Sequence, residues 1–289
     1  MSDREFRPRI TPNPNGFGAE VTGVDLSAPL PTSVLRAVKV AFAAHGVIWF
    51  PDQPLDHDQL EAFTLQWGGF GWDPYIAPLA ERPHIVEVRR DAVETASVFG
   101  GAWHSDWSFQ GTPPAITLLH AKIIPPVGGD TLYADCSRAW EALTPTFQAL
   151  LKPLSAIHSA SRPYGAEGFY SREQGRTGMT ILPSAEADKT YVHPLVRIHP
   201  NTGRAALFVN PVYTVGIEGM SEAEGAVILA FLFTHMTQDR LIYRHTWAPN
   251  MLVMWDNRSC LHNATGGYDG HARVLHRTTV AGEAPVALV

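Results

Sequence analysis

The chain reads as a mainly β fold with surrounding helices, a β-sandwich or jelly-roll barrel rather than a parallel α/β sheet. Three observations predict this. Proline and glycine are frequent, with 23 and 24 copies in 289 residues, and they cut the chain into many short segments. Strand-like stretches stand before and after the helical ones, instead of alternating with them as βαβ units would. The glycine-rich phosphate loops of nucleotide-binding folds are absent.

Taken in order, residues 18–26 alternate like a strand. Residues 31–45 read as a helix with Val34, Leu35, Val38 and Phe42 on one face and Gly46 just past its end. A short buried strand follows at 47–50, and Asp56 is placed to cap a second helix running to about Trp67. Residues 116–124 are strand-like. Residues 137–151 are helical with a break at Thr144-Pro145, because a residue before proline is biased out of the helical region. Residues 191–198 and 205–210 form a hairpin around the turn Pro200-Asn201-Thr202-Gly203. Ser221 and Glu224 make a capping box that opens an amphipathic helix to about His235. Strands return at 241–247, 251–255 and 272–280. With no repeat, low-complexity tract or linker to divide it, 1–289 is expected to be a single domain.

Hydrophobic residues make up 45% of the chain and charged residues 17%, an ordinary globular balance. A net charge of −6 argues against nucleic acid, which needs a basic face to displace counterions. Cys136 and Cys260 are too few and too far apart for a secreted disulfide scaffold. The N-terminal residues are charged and carry no apolar targeting core, and the apolar run at 227–233 is far too short to span a bilayer. A cytoplasmic protein with no membrane partner is expected.

The chemistry begins at Trp103-His104-Ser105-Asp106. Residues two apart in an extended chain point the same way, with Cα atoms ~6.6 Å apart, so this imidazole and carboxylate can converge on one ion. A bare His-x-Asp is common by chance, and a third ligand must come from elsewhere. His262, just beyond Trp255-Asp256-Asn257-Arg258, is the best candidate. Two histidines and one carboxylate on one face of an octahedral ion leave positions open, the arrangement of Fe(II) oxygenases. The same set also serves zinc with one water, so a zinc hydrolase stays open at this point. On the strand 272–280, Arg273 and Arg277 share a face and alternate with Val274, His276 and Thr278. Two inward guanidinium groups are costly unless anions meet them, and a dicarboxylate would do so. Two surface arginines on an edge strand are the plainer alternative.

Over nearly its whole length the chain resembles the TauD/TfdA family, the taurine and aryloxyalkanoate dioxygenases. The matching blocks are Gly18-Ala19-Glu20-Val21-Thr22-Gly23-Val24-Asp25-Leu26, Trp103-His104-Ser105-Asp106, Gly128-Gly129-Asp130-Thr131-Leu132, His193-Pro194-Leu195-Val196, Trp255-Asp256-Asn257-Arg258 with His262, and Arg273-Val274-Leu275-His276-Arg277. The resemblance implies a double-stranded β-helix (jelly-roll, cupin-like) core. It implies Fe(II) on His104, Asp106 and His262, and the distal carboxylate of 2-oxoglutarate on Thr131 and Arg273. Arg277 would lie close to the iron as a catalytic or co-substrate residue. The partners it implies are 2-oxoglutarate, O2 and a small organic anion, in a homo-oligomer.

Where taurine-specific relatives carry a His, a Tyr and an Asn around the sulfonate, Asp73, Ile76 and Gly100 stand here. Taurine is therefore not the expected substrate. Phe109 matches a pocket aromatic of the family, and Tyr213 resembles the tyrosine of enzymes acting on phenoxyalkanoic acids; both also suit a core. Residues 158–182 read as a mobile lid, and His158 as a residue within reach of the pocket. The expected reaction hydroxylates an aryloxyalkanoate-, alkyl sulfate- or sulfonate-like anion and yields succinate and CO2. A zinc-dependent hydrolase and a non-catalytic anion-binding jelly-roll are the rival readings.

Overall fold

A computed structural model describes residues 8–289. The charged segment 1–7, read above as lacking a targeting core, lies outside the described residues. β1 (Arg9–Pro12) pairs antiparallel with β2 (Ala19–Thr22). The strand expected over 18–26 is shorter, because Gly23 at φ 76 turns the chain out of the sheet. α1 (Thr32–His45) buries Val34, Val38 and Phe42 and stops at Gly46, a left-handed residue whose N–H bonds the Phe42 carbonyl. β3 (Val47–Phe50) runs parallel to β2. α2 (His57–Leu65) opens on a reciprocal capping box between Asp56 and Gln59. β4 (Val86–Arg90) and β5 (Ile116–Ile123) bracket a long loop. β6 (Thr131–Asp135) is followed by α3 (Cys136–Glu141) and α4 (Pro145–Leu151), the two pieces of the expected broken helix.

Next come β7 (Ser155–Ser159), the short helices α5 (Ser161–Tyr164) and α6 (Phe169–Arg172), β8 (Thr190–Pro194), β9 (Val196–Ile198) and β10 (Ala205–Leu207). β9 and β10 make the expected hairpin, but 191–198 is not one strand: β8 pairs with β7, and β9 with β10. The chain changes sheet at Pro194-Leu195, where proline offers no N–H to continue a ladder. β11 (Thr214–Ile217) leads to α7 (Glu222–Met236), which carries the expected Ser221–Glu224 box. The expected amphipathicity of α7 is absent. Leu229, Leu232 and Met236 are buried, yet Val227 and Phe231 are exposed, because the run 226–233 is apolar on every side. β12 (Ile242–His245), β13 (Leu252–Asp256), β14 (Cys260–Ala264), β15 (Arg273–Val280) and β16 (Val286–Ala287) complete the chain.

Seven strands form the large sheet in the order β1-β2-β3-β13-β5-β15-β4, and three small sheets run β12-β6-β14, β11-β7-β8 and β10-β9-β16. One core fills the space between α1, α2 and the outer face of the large sheet, through Phe42, Leu60, Phe63, Leu118 and Met254. On the inner face, Leu119, Trp255 and Leu275 meet Tyr133 of β6, with the Trp255 and Tyr133 rings 5.4 Å apart. These residues fill part of the space between the large sheet and β12-β6-β14. No helix among the described residues is long and apolar enough to cross a membrane.

Candidate active site

His104 lies in the loop between β4 and β5, and His262 in β14. An isolated antiparallel bridge joins them: the His104 N–H donates to the His262 carbonyl at 3.0 Å, and the reverse bond is 2.8 Å. Directly paired residues of an antiparallel bridge project to the same side, and the two rings lie 4.1 Å apart. Asp106 Oδ1 stands 3.5 Å from His104 Nε2 and 3.9 Å from His262 Nε2. The three donor atoms lie within 4.8 Å of one another, and all three residues are buried. The carbonyl of Ala102 accepts from His104 Nδ1 at 2.7 Å, which leaves Nε2 a lone pair aimed at the common centre.

Asp106 is braced. The Thr117 hydroxyl donates to its Oδ2 at 2.6 Å, so Oδ1 remains for the centre. Asn257 Oδ1 accepts from the Asp106 N–H at 3.3 Å and from the Trp255 indole at 3.0 Å, while its amide donates to Thr117 at 2.8 Å. Trp107 turns the chain away at φ 49, a conformation uncommon for a bulky residue. Burial works against charge on Asp106, but the His262 and His104 rings and the Arg277 guanidinium outweigh it and hold the carboxyl well below its usual range. Burial, with His104 alongside, pushes His262 down to about 3. At neutral pH the group is therefore one carboxylate and a neutral imidazole at position 262, the protonation a divalent cation needs.

A cavity beside the three residues is lined by Thr131, Trp255, His262, Leu275, Arg273 and Arg277, among others. Both arginines are buried. Gly129, at φ 72, lies close enough that an added Cβ would stand 3.3 Å from Arg273 Cδ and Nε, a tight contact that would press on the Arg273 side chain. The Arg273 guanidinium stacks 5.7 Å from the Trp247 ring, and its Nε has no hydrogen-bond partner among the described residues. Burial lowers its pKa. Thr131 Oγ accepts from the Trp247 indole at 3.0 Å.

Arg277 likewise has an Nε, and also an Nη2, without a hydrogen bond among the described residues, but carboxylates stand close: its Nη2 is 3.3 Å from Asp73 Oδ2, its Nη1 is 4.0 Å from Asp106 Oδ1, and it lies 5.1 Å over Trp107. Burial would lower its pKa, but Asp73 and Asp106 outweigh that and raise it.

A second cavity, of about 500 Å3, opens from His104 and Gly100. Phe99, Arg162, Tyr164, Tyr170 and Tyr213 line it, and the Tyr213 ring stands 6.1 Å from that of His104. Of the residues expected at a substrate pocket, Tyr213 lines this cavity. Phe109 is not: it packs behind Tyr213 at 4.9 Å, in a buried aromatic cluster with Tyr75 and Trp107. Asp73 lines neither cavity; it accepts from the Trp107 indole and pairs with Arg277. Ile76 is buried and bridges to Ile181. His158 belongs to β7, fully buried, with Nδ1 3.1 Å from Ser108 Oγ. The first two residues of the segment expected as a lid thus belong to a strand.

Thr117, Asn257 and Trp255 support the site, and Phe99, Tyr164, Tyr170 and Arg162 line the cavity, none of them singled out from the sequence for these roles. Thr117 sits on an apolar strand with no local signal, and the lining residues become neighbours only through folding of 95–101 and 161–172.

Comparison with known proteins agrees with this geometry. Residues 9–279 match the family described as "Taurine catabolism dioxygenase TauD, TfdA family". The chain is 35% identical to the alpha-ketoglutarate-dependent 2,4-dichlorophenoxyacetate dioxygenase of Cupriavidus pinatubonensis, over 93% of this chain and 96% of that one. It is 29% identical to the alkylsulfatase of Acinetobacter baylyi, over 92% and 83% respectively. Among solved structures, AAD-2 in complex with Mn(II) and N-oxalylglycine superposes with a TM-score of 0.79 at 30% identity, over 97% of this chain and 99% of that one.

Proposed function

The chain belongs to the taurine catabolism dioxygenase TauD, TfdA family, and from that membership we propose that His104, Asp106 and His262 hold its Fe(II) and that Arg273 with Thr131 holds 2-oxoglutarate. The protein is an Fe(II)- and 2-oxoglutarate-dependent dioxygenase. The observation that carries the site assignment is a buried His-Asp-His group facing a cavity with a buried, unpaired arginine. The donor set fits Fe(II): two imidazoles and a carboxylate on one side of a centre, with the other side left to a co-substrate. The large sheet and β12-β6-β14, with the site between them, are read as the two layers of a double-stranded β-helix in one domain, and 161–182 as its lid.

When bound, the iron and 2-oxoglutarate supply the oxidising chemistry, in which O2 is consumed, 2-oxoglutarate becomes succinate and CO2, and the substrate gains a hydroxyl. The residues of this chain do the positioning. Arg273 takes the distal carboxylate in a charge-assisted pair, and the Thr131 hydroxyl adds a donor to it. Arg277, fixed by Asp73, stands next to Asp106 and orients the group that chelates there. Thr117 and Asn257 keep Asp106 from rotating. Leu119, Trp255 and Leu275 line the inner cavity and keep water from it.

The primary substrate is proposed to be a small organic anion of aryloxyalkanoate, alkyl sulfate or sulfonate type, bound in the aromatic cavity beside His104. Asp73 sets a carboxylate beside Arg277, the arginine nearest Asp106, and a second anion there would meet its charge, which argues against a compact sulfonate such as taurine. Succinate release by the iron-loaded protein tests the assignment: His104→Ala and Asp106→Ala should each abolish it and lose bound iron. Succinate formation retained in both variants contradicts it.

A further inference from the structure

Charged groups are buried at the joint between two segments that wall the outer cavity, and the chemistry described so far uses none of them. The segment 94–101 leads into His104, and its residues 97–101 line that cavity; 169–178 lies beside it and contributes Phe169 and Tyr170. α5 and α6 are single turns and 173–180 forms no strand, so side-chain bonds hold this stretch in place. The Glu94 side chain is fully buried, and those of Glu173 and Arg176 are 8% and 9% exposed. Glu94 Oε2 accepts from the Thr177 and Gly178 N–H groups at 3.2 and 2.9 Å, and its Oε1 stands 3.4 Å from Arg176 Nη1. Arg176 Nε donates to Glu173 Oε2 at 2.8 Å, and its Nη2 to the Ser97 carbonyl at 2.9 Å. Glu173 Oε1 in turn accepts from the Ser97 N–H at 3.1 Å. One guanidinium thus bridges a carboxylate from each side of the joint.

The same guanidinium lies behind the cavity wall. It stands 5.9 Å from the Phe99 ring and 5.4 Å from the Tyr170 ring, and the two rings are 5.6 Å apart. Both line the outer cavity, and Phe99 also borders the inner one. Gly100, next in the chain, comes so near the iron site that an added Cβ would stand 3.4 Å from His104 Cε1. A buried ion pair is often worth less to stability than apolar packing of the same volume; what it adds is one defined geometry.

We propose that Arg176 is a positioning residue for the dioxygenase reaction. Clamped between Glu94 and Glu173, it sets Phe99 and Tyr170 against each other and seats the cover 161–182 over the outer cavity. The substrate's apolar body is thereby held in place and water is kept from the iron site. Arg176 itself touches neither substrate nor metal. The inference rests on the dioxygenase reading and adds how its cover is fastened. The apolar body of an aryloxyalkanoate or alkyl sulfate lies against these rings whichever donors meet its charge.

The test compares the wild-type full chain with Arg176→Ala and Arg176→Lys, all iron-loaded with 2-oxoglutarate. In one arm, without O2 or primary substrate, ferrozine is added and the escape of iron is followed as its coloured complex. Arg176→Ala should release iron about tenfold faster, the effect of removing charge-assisted bonds from a local closure. Arg176→Lys, which keeps the charge but not the fork, should fall between. In the other arm, 2,4-dichlorophenoxyacetate is turned over in air, and phenol released is measured per succinate formed. Ascorbate is present to reduce the two oxidising equivalents left over whenever substrate is not hydroxylated. The ratio should fall severalfold in Arg176→Ala with the KM for 2-oxoglutarate unchanged, and recover in part in Arg176→Lys. A merely structural role would lower the urea midpoint of the iron-free protein and leave iron release and the ratio at wild-type values, which overturns the proposal. If the wild-type chain forms no phenol, the aryloxyalkanoate reading has failed instead, and iron release decides alone: equal rates in wild type and Arg176→Ala overturn the role of Arg176.

Discussion

Arg273 and Arg277 stand on the same face of β15, both buried, and their charged surroundings are opposite. Both lie over aromatic rings and both have an Nε without a hydrogen-bond partner, but Arg273 has no carboxylate within ion-pair distance among the described residues. Its pKa is lowered by burial. Arg277 has Asp73 and Asp106, and its pKa is raised despite equal burial. A buried guanidinium without a counter-charge is a standing cost to the fold, tolerated where a ligand supplies the missing charge. One with a carboxylate already beside it is a fixture that orients what binds next to it. The contrast is what supports the proposed roles, Arg273 for ligand binding and Arg277 for positioning.

The sharpest break between the two ends is expected in co-substrate affinity. Arg273→Ala should raise the KM for 2-oxoglutarate about 100-fold or more, the loss expected when a charge-assisted pair leaves its partner buried and unpaired. Steady-state succinate formation checks this, and an unchanged KM would place the distal carboxylate elsewhere.

Stability of the iron-free protein should divide the two arginines in the other direction. Asp73→Ala leaves Arg277 and the Trp107 indole short of a partner and should cost about 3 kcal/mol, a lowered midpoint in urea. Arg273→Met removes an unpaired buried charge and should leave that midpoint level or higher. Equal losses in both would erase the contrast.

Buried histidines extend the comparison to groups that escape the cost by staying neutral. Burial lowers His120 to about 4, and His158 and His245 to about 3. Unfolded, each takes up a proton near 6.5. Below that pH the unfolded chain binds more protons than the native one, so the stability these groups hold at neutral pH is lost as pH falls from 6.5 towards 4. Denaturation midpoints at pH 7, 6 and 5 should fall in order, and His120→Gln should flatten the slope by on the order of 2 kcal/mol by pH 4.5. A flat profile would show these rings already protonated in the native state.

The smallest effect belongs to Thr131. Thr131→Val removes one neutral donor and the acceptor of the Trp247 indole, and should raise the 2-oxoglutarate KM about 5-fold, roughly one hydrogen bond. Kinetics alongside Arg273→Ala would rank the two contributions.

How much of this was legible in the sequence follows the range of the interactions. Local devices were: the N-cap at Asp56, the capping box at Ser221, the break at Thr144-Pro145, and the His104/Asp106 spacing all act within a few residues. Alternation on β15 placed both arginines on one face, and His262, the best candidate for a third ligand, was reinforced by the family resemblance. Pairings across the fold were not legible. Nothing near Asp73 announces Arg277, nothing near Thr117 announces Asp106, and Phe109 falls behind Tyr213 only because β7, β11 and the loop before β5 pack together. The uniformly apolar 226–233 run misled for a related reason, since its exposed face is as apolar as its buried one.

The most direct test of the site is anaerobic titration of the apoprotein with Fe(II) and then 2-oxoglutarate, followed in the visible. A metal-to-ligand charge-transfer band should appear in the wild-type protein, and should fail to appear in iron-loaded Arg273→Ala at the same 2-oxoglutarate concentration. An iron-loaded wild-type protein without the band, or a band with the same 2-oxoglutarate dependence in Arg273→Ala, would contradict the assignment.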